Sequence, residues 1–139
     1  MTKLKDTVTF DDVLLVPQYS EVMSRKSIDI GSYLSDDIRL DVPIISSPMD
    51  TITNSTMANS MARNGGMGIL HRYGSIYDQT LEAKYCNNII FGGAVGVTGD
   101  YIQRATKLVD EGCKVLCVDV AHGHHVIMRH ALQTLRNTF

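Results

Sequence analysis

Pro43-Ile44-Ile45-Ser46-Ser47-Pro48-Met49-Asp50-Thr51 is the stretch on which the reading of this chain turns. A short apolar run ends in small polar residues and a proline, and a helical pattern follows at once. A buried parallel strand hands over to a loop in this way at its carboxyl end. In α/β folds that end of the strand is where ligands bind. A strand, a loop and a helix N-cap with no ligand account for the same residues, so both readings stand.

Outward from this point the chain repeats one unit. The strand at Ile44–Ser46 leads to a helix over about Asn54–Asn64, with Met57, Ala58 and Met61 on one face and Gly65-Gly66 as its stop. A second strand, Met67–Leu70, precedes a helix over Ser75–Cys86 with Ser75 as N-cap. A third strand near Gly93–Val97 precedes a helix over Gly99–Glu111, in which Ile102, Ala105, Leu108 and Val109 recur at helical spacing before Gly112. The fourth strand, Lys114–Val118, ends at Asp119, and a helix over His125–Thr138 presents Ile127, Met128, Leu132 and Leu135.

Strand starts recur about every 24 residues with a helix in each interval, the rhythm of a parallel sheet of βα units. Four units make either a small open sheet or half of an eight-unit barrel, which takes about 250 residues in full. Ahead of them, Thr7 to Val16 reads as an apolar extended segment closed by Pro17. Ser27 to Ile30 and Ile38 to Val42 read as a small antiparallel pair around a Gly-Ser-Asp-rich connection.

Composition narrows the function classes. The 139 residues suffice for one domain with a core, and 44% hydrophobic with 20% charged residues is ordinary for a globular protein. A net charge of -2 gives no electrostatic reason to expect nucleic acid or an anionic membrane as partner. No apolar stretch approaches the roughly 18 residues of a membrane span, and Met1–Asp6 lacks the apolar core of a signal peptide. The three cysteines, Cys86, Cys113 and Cys117, form neither a disulfide framework nor a metal pattern. They read as reduced, buried thiols, which together with the missing leader predicts a soluble cytoplasmic protein.

Three motifs bear on chemistry. Gly92-Gly93-Ala94-Val95-Gly96-Val97 misplaces its glycines for a dinucleotide fingerprint and reads as close packing of a strand. Asp119, directly after an apolar strand, either accepts hydrogen bonds from a ribose or caps the following helix. Ala121-His122-Gly123-His124-His125 invites a zinc hypothesis, but adjacent histidines diverge in most backbone conformations and a third ligand is missing, so loop histidines fit better. No cysteine occupies an exposed loop with an activating neighbour, so no thiolate nucleophile is expected here. The residues alone therefore yield an α/β protein whose ligand face carries Ser47, Met49 and Asp119.

Thr9-Phe10-Asp11-Asp12-Val13-Leu14-Leu15-Val16-Pro17, the ISSPMDT stretch from Ile45, Gly65-Gly66-Met67-Gly68-Ile69-Leu70-His71-Arg72 and Val118-Asp119-Val120-Ala121-His122-Gly123-His124 together resemble the IMP dehydrogenase and GMP reductase family. The resemblance runs along nearly the whole chain in the right order. It implies a (β/α)8 TIM barrel, of which residues 1–139 would be a single domain holding the first four βα units after an N-terminal β pair. It also implies a homotetramer and an oxidoreductase of purine nucleotide biosynthesis acting at carbon 2 of the base. The dehydrogenase converts IMP to XMP with NAD; the reductase converts GMP to IMP and ammonia with NADPH. Both pass through a covalent adduct on a loop cysteine.

Carried over by motif, Ser47 resembles a residue that hydrogen-bonds the purine nucleotide, and Met49 one that packs against its base. Asp119 resembles the acidic residue at the cofactor's nicotinamide ribose, with Val120 beside it. Val120 matches the reductases, where dehydrogenases carry serine; His122 and the Ser47-Pro48 pair match the dehydrogenases, the side favoured on balance. Cys86-Asn87-Asn88-Ile89-Ile90-Phe91 leaves no room for the regulatory CBS insert of most dehydrogenases. The family's cysteine loop and potassium site lie beyond the fourth unit, so neither catalytic nor metal residues are expected here. A half barrel on its own, a non-catalytic fragment that binds nucleotide or a partner subunit, would leave its first and fourth strands as bare edges.

Overall fold

The computed structural model describes residues 7–86 and 88–139. The reading of Met1–Asp6 and the Asn87 position of the Cys86–Phe91 bridge lie outside them. Two strands, β1 (Ser32–Ser35) and β2 (Ile38–Leu40), pair antiparallel. Four more, β3 (Ile45–Ser46), β4 (Met67–Leu70), β5 (Gly92–Val95) and β6 (Val115–Val118), form a parallel sheet in chain order. Helices α1 (Ser55–Arg63), α2 (Ile76–Lys84), α3 (Tyr101–Asp110) and α4 (Val126–Thr138) follow β3, β4, β5 and β6 respectively. The expected β–α alternation is present unit by unit, with β3 and β6 as the outer strands.

Local chemistry explains the helix ends. Asn54 Oδ1 accepts from Met57 N–H at 3.1 Å and starts α1. Its stop is a Schellman closure: Gly66 N–H donates to the Met61 carbonyl at 2.9 Å and Gly65 N–H to that of Ala62 at 3.1 Å. Gly65 sits at φ +84, which a side chain would strain. At the start of α2, Ser75 Oγ accepts from Asp78 N–H while the Asp78 carboxylate accepts from Ser75 N–H and Oγ–H.

These hydrogen bonds from Ser75 hold the Asp78 carboxyl below its ordinary range. A depressed carboxylate stabilises the fold above the unfolded chain's value, and the contribution is lost as pH falls through the folded one. Ser75→Ala is therefore expected to raise the Asp78 midpoint towards the ordinary carboxylate value and to make α2 fray at a higher pH. A carbon-detected carboxyl titration checks this; an unmoved midpoint would mean the capping box is not formed in solution.

All four helices pack on one face of the sheet. Alternate strand residues, Leu70, Val95, Leu116 and Val118, meet Ala58 of α1, Ala83 of α2, Ala105 and Leu108 of α3 and Leu135 of α4 in one apolar core. Where the contact is tightest the strand carries glycine: a Cβ on Gly68 would lie 2.6 Å from Ala58 Cα, so α1 sits on β4 backbone to backbone. Gln79 and Arg104 are the charged or amide side chains buried beside this core.

Several expectations need correction. The first strand of the antiparallel pair is Ser32–Ser35, not Ser27–Ile30. Ser24 caps a 3-10 turn over Arg25–Ser27, and Asp29 spends its carboxylate on Arg39, at 2.7 and 2.8 Å, and on Gly31 N–H. Thr7–Val16 is apolar but not continuously extended, because Thr9 and Asp12 close a hydrogen-bonded turn, and Phe10 and Leu15 are each 96% exposed. Met57, at 38% exposed, does not share the burial of Ala58, since α1 touches the sheet through Ala58 on Gly68. Val109, Ile127 and Leu132 are likewise partly exposed, Val109 and Leu132 along a groove that β6 lines together with α3 and α4. Among the described residues no helix is long and apolar enough to cross a membrane.

Candidate ligand face at the strand ends

The residues that follow the parallel strands share one edge of the sheet. After β3, the loop from Ser47 to Thr53 folds onto its own carbonyls. Ser47's carbonyl accepts from Met49 N–H at 2.8 Å and from the buried Thr53 Oγ1 at 2.6 Å; Met49's carbonyl accepts from Ile52 and Thr53 N–H, each at 3.0 Å. These bonds close the loop on itself, and Ser47 and Met49 are left exposed. A hydroxyl donor and a polarizable apolar group are side by side on a fixed loop.

After β6, Asp119 N–H continues the ladder to the Val95 carbonyl at 2.9 Å. The Asp119 side chain pairs with Arg72, which leaves the end of β4: Nε lies 3.3 Å from Oδ2, and Nη2 donates to the Asp119 carbonyl at 3.1 Å. To get there the guanidinium crosses the end of β5 beside Gly96. The alternative that Asp119 caps the next helix is removed, because α4 starts seven residues beyond it. His125 caps α4, its Nδ1 accepting from Ile127 N–H at 3.1 Å. One Asp119 oxygen faces Arg72; the carboxylate is partly exposed and keeps acceptor capacity for further donors.

Ser47 and Met49 follow β3, and Asp119 and Val120 follow β6, the two outer strands of the sheet. Three strand spacings separate β3 from β6, about 14 Å across a sheet with neighbours about 4.8 Å apart. Thus the four expected residues occupy two stations on one edge, with Arg72 spanning part of the distance. A cleft of about 170 Å³ lies behind this edge, lined by Thr53, Leu70, His71, Arg72 and Gln79 among others. It is smaller than the roughly 300 Å³ at which small-molecule pockets begin, so the open edge, not the cleft, offers room for a nucleotide.

The thiols are chemically quiet. Burial pushes the Cys86 thiol up to about 12, with Glu82 and Cys113 adding to the effect, and burial pushes Cys113 up to about 11. Cys117, half-buried on β6 and so less enclosed than expected, is also pushed up, by burial and then by Asp119. His122 and His125 approach edge to face with ring centroids 6.4 Å apart. Among the described residues no three His, Cys, Asp or Glu side chains cluster as metal ligands.

Sequence reasoning passed over two arginines. Arg72 was readable as the second residue past an apolar strand, and Arg104 as a charge on the apolar stripe Tyr101–Ala105–Leu108 of α3. What neither position discloses is the partner, which comes from a different βα unit.

A family model described as IMP dehydrogenase / GMP reductase domain matches residues 7–139. Among curated proteins, the chain is 41% identical over 113 residues to the inosine-5'-monophosphate dehydrogenase of Nitrosopumilus maritimus, covering 78% of this chain and 24% of that protein. It is 49% identical over 82 residues to that of Aquifex aeolicus (59% and 16%) and 43% over 107 residues to that of Rhodopirellula baltica (74% and 20%). The chain thus spans a quarter or less of the length of these relatives. It belongs to the IMP dehydrogenase / GMP reductase family.

Proposed function

We propose that the chain supplies, as a single domain without a CBS insert, the first four βα units of a (β/α)8 barrel that oxidises IMP to XMP with NAD and water. The observation that carries this reading is the placement of Ser47, Met49, Asp119 and Val120 on the carboxyl edge of a parallel sheet whose helices all pack on one face. A doubly wound sheet divides its helices between two faces; a barrel keeps them in one outer layer.

In this reading Ser47 Oγ–H donates to the purine nucleotide and Met49 packs against the base. Asp119 accepts from the hydroxyls of the nicotinamide ribose, oriented by Arg72, and Val120 offers an apolar contact beside it. The donor set fits such a ligand: a diol needs a carboxylate with free lone pairs, and Asp119 has them. When bound, the nicotinamide takes up the hydride released from carbon 2 of the base. Burial raises the pKa of all three thiols and encloses Cys86 and Cys113, which disfavours the thiolate needed to attack a purine, and the cysteine adduct and the potassium site are assigned outside this stretch. A homotetramer in the cytoplasm accompanies the reading. GMP reduction to IMP and ammonia with NADPH is the second reading, favoured by Val120, which matches the reductases.

The test follows nicotinamide absorbance with IMP plus NAD and with GMP plus NADPH, using the whole polypeptide that contains this segment. Amide spectra of the segment are recorded with each nucleotide in parallel. Turnover of IMP with shifts at Ser47 and Met49 supports the dehydrogenase. Turnover of GMP alone replaces it by the reductase. Nucleotide binding without turnover leaves a non-catalytic binding half barrel, and no response at Ser47 and Met49 overturns the site.

A further inference from the structure

Arg104 is only 7% exposed, in the middle of the apolar stripe of α3. A guanidinium persists in such a place only where its donors find acceptors. Here Nη2 donates to Asp100 Oδ2 at 2.9 Å and to the Gly74 carbonyl at 3.1 Å. Nη1 donates to Gln79 Oε1 at 3.0 Å and, at 3.5 Å, reaches the Ser75 carbonyl. Gln79 is itself buried and turns its Nε2 to the Ala94 carbonyl at 2.9 Å and the Leu70 carbonyl at 3.4 Å.

The acceptors define the role. Asp100 alone, one helical turn away, would satisfy the charge on the surface of α3. The remaining partners of Arg104 are Gln79 on α2 and the Gly74 and Ser75 carbonyls of the loop between β4 and α2, and Gln79 in turn reaches the carbonyls of Leu70 in β4 and Ala94 in β5. Gln79 holds that loop at its first end, the Leu70 carbonyl; Arg104 holds it at its last, the Gly74 and Ser75 carbonyls. Between the two clamps lies Arg72, whose guanidinium must cross β5 to meet Asp119. We propose that Arg104, acting with Gln79, is the positioning residue that fixes residues 71–75 so that Arg72 orients Asp119. The planar fork of an arginine is required, because a lysine's single ammonium cannot hold Gln79 and the Gly74 carbonyl in fixed directions together.

The inference rests on the reading of Asp119 as a ribose acceptor only for its consequence in binding; the contact itself is tested apart from it. The experiment compares wild type with Arg104→Met, Arg104→Lys and Asp100→Asn. Its readouts are circular dichroism, the nitrogen–proton signal of Arg72 Nε–H and titration with NAD. In folded Arg104→Met the Arg72 signal is expected to exchange at least about tenfold faster, the loss of one charge-assisted hydrogen bond. NAD affinity is expected to fall by a similar factor. Arg104→Lys is expected to restore the fold but only part of the Arg72 signal, and Asp100→Asn to leave that signal as in wild type.

An unchanged Arg72 signal in folded Arg104→Met overturns the proposal. Asp100→Asn reproducing the Met variant does so too, since Arg104 would then be serving the helix pair alone. If Arg104→Met does not fold, Arg104→Lys decides: a weakened Arg72 signal supports the clamp, and a wild-type signal overturns it. Wild type that shows the Arg72 signal but binds no NAD defeats the functional reading while leaving the clamp standing.

Discussion

Gly68→Val will leave no folded transition near that of wild type, and Gly68→Ala will already lower the melting temperature by about 5–10 °C. The new Cβ would lie 2.6 Å from Ala58 Cα, 2.8 Å from Ala58 Cβ and 3.2 Å from Thr53 Cγ2. The first of these is helix backbone, so relief requires α1 to move off the sheet. Forcing extra methyl groups into a packed core costs about 1–3 kcal/mol, occasionally more. At roughly 3–5 °C per kcal/mol for a domain of this size, alanine accounts for the stated shift. Valine adds two further methyl-sized groups beside Thr53, whose hydroxyl anchors the Ser47 loop, and a domain has only about 5–15 kcal/mol in total. Gly123→Ala is the control, because nothing lies within 4 Å of a Cβ there and it is expected to melt as wild type does. Thermal unfolding by circular dichroism is the measurement. Gly68→Ala melting with wild type would mean that α1 and β4 are not in contact as described.

Gly68 also shows what could be read from the chain and what could not. Met67–Leu70 was legible as a strand to the residue, and Ser75, Gly65 and Gly112 as helix boundaries, because capping and strand burial are decided within a few residues. That Gly68 is the point where a helix rests on the strand is not local, since it depends on Ala58 and Thr53 arriving from the preceding unit. The β1 strand was misplaced for a similar reason: Asp29 is drawn out of any pairing by Arg39, ten residues away. Ser47, Met49 and Asp119 follow apolar strands in the sequence, and the structure puts them after β3 and β6 on one edge of the sheet; the ligands proposed for them rest on that placement. Arg72 and Arg104 were not assigned roles, because a lone arginine carries no sign of its acceptors. Thr7–Val16 was legible as apolar and misread as extended throughout, since the Thr9–Asp12 turn competes successfully with extension.

Asp119→Asn will weaken NAD binding by about 10–100-fold and leave purine nucleotide binding within twofold of wild type. The size follows from the interactions removed. A carboxylate accepting from a ribose diol makes charge-assisted hydrogen bonds, each contributing about 1.5–3 kcal/mol, against about 1 kcal/mol for neutral ones. Asparagine keeps one acceptor oxygen and the shape, so the fold should persist. Arg72, about a third exposed, then turns to water rather than being stranded as a buried charge. The nucleotide end should not respond, because Ser47 and Met49 lie three strands away and their loop is tied to Thr53, not to Arg72. Ser47→Ala should do the opposite, weakening IMP by about tenfold through one lost hydrogen bond while NAD is unaffected. Isothermal titration of both ligands against both variants separates the two stations. Equal weakening of both ligands by Asp119→Asn would merge them into one site. Unchanged NAD affinity would reduce Asp119 to an anchor for Arg72 and send the search for the ribose acceptor elsewhere on the strand ends.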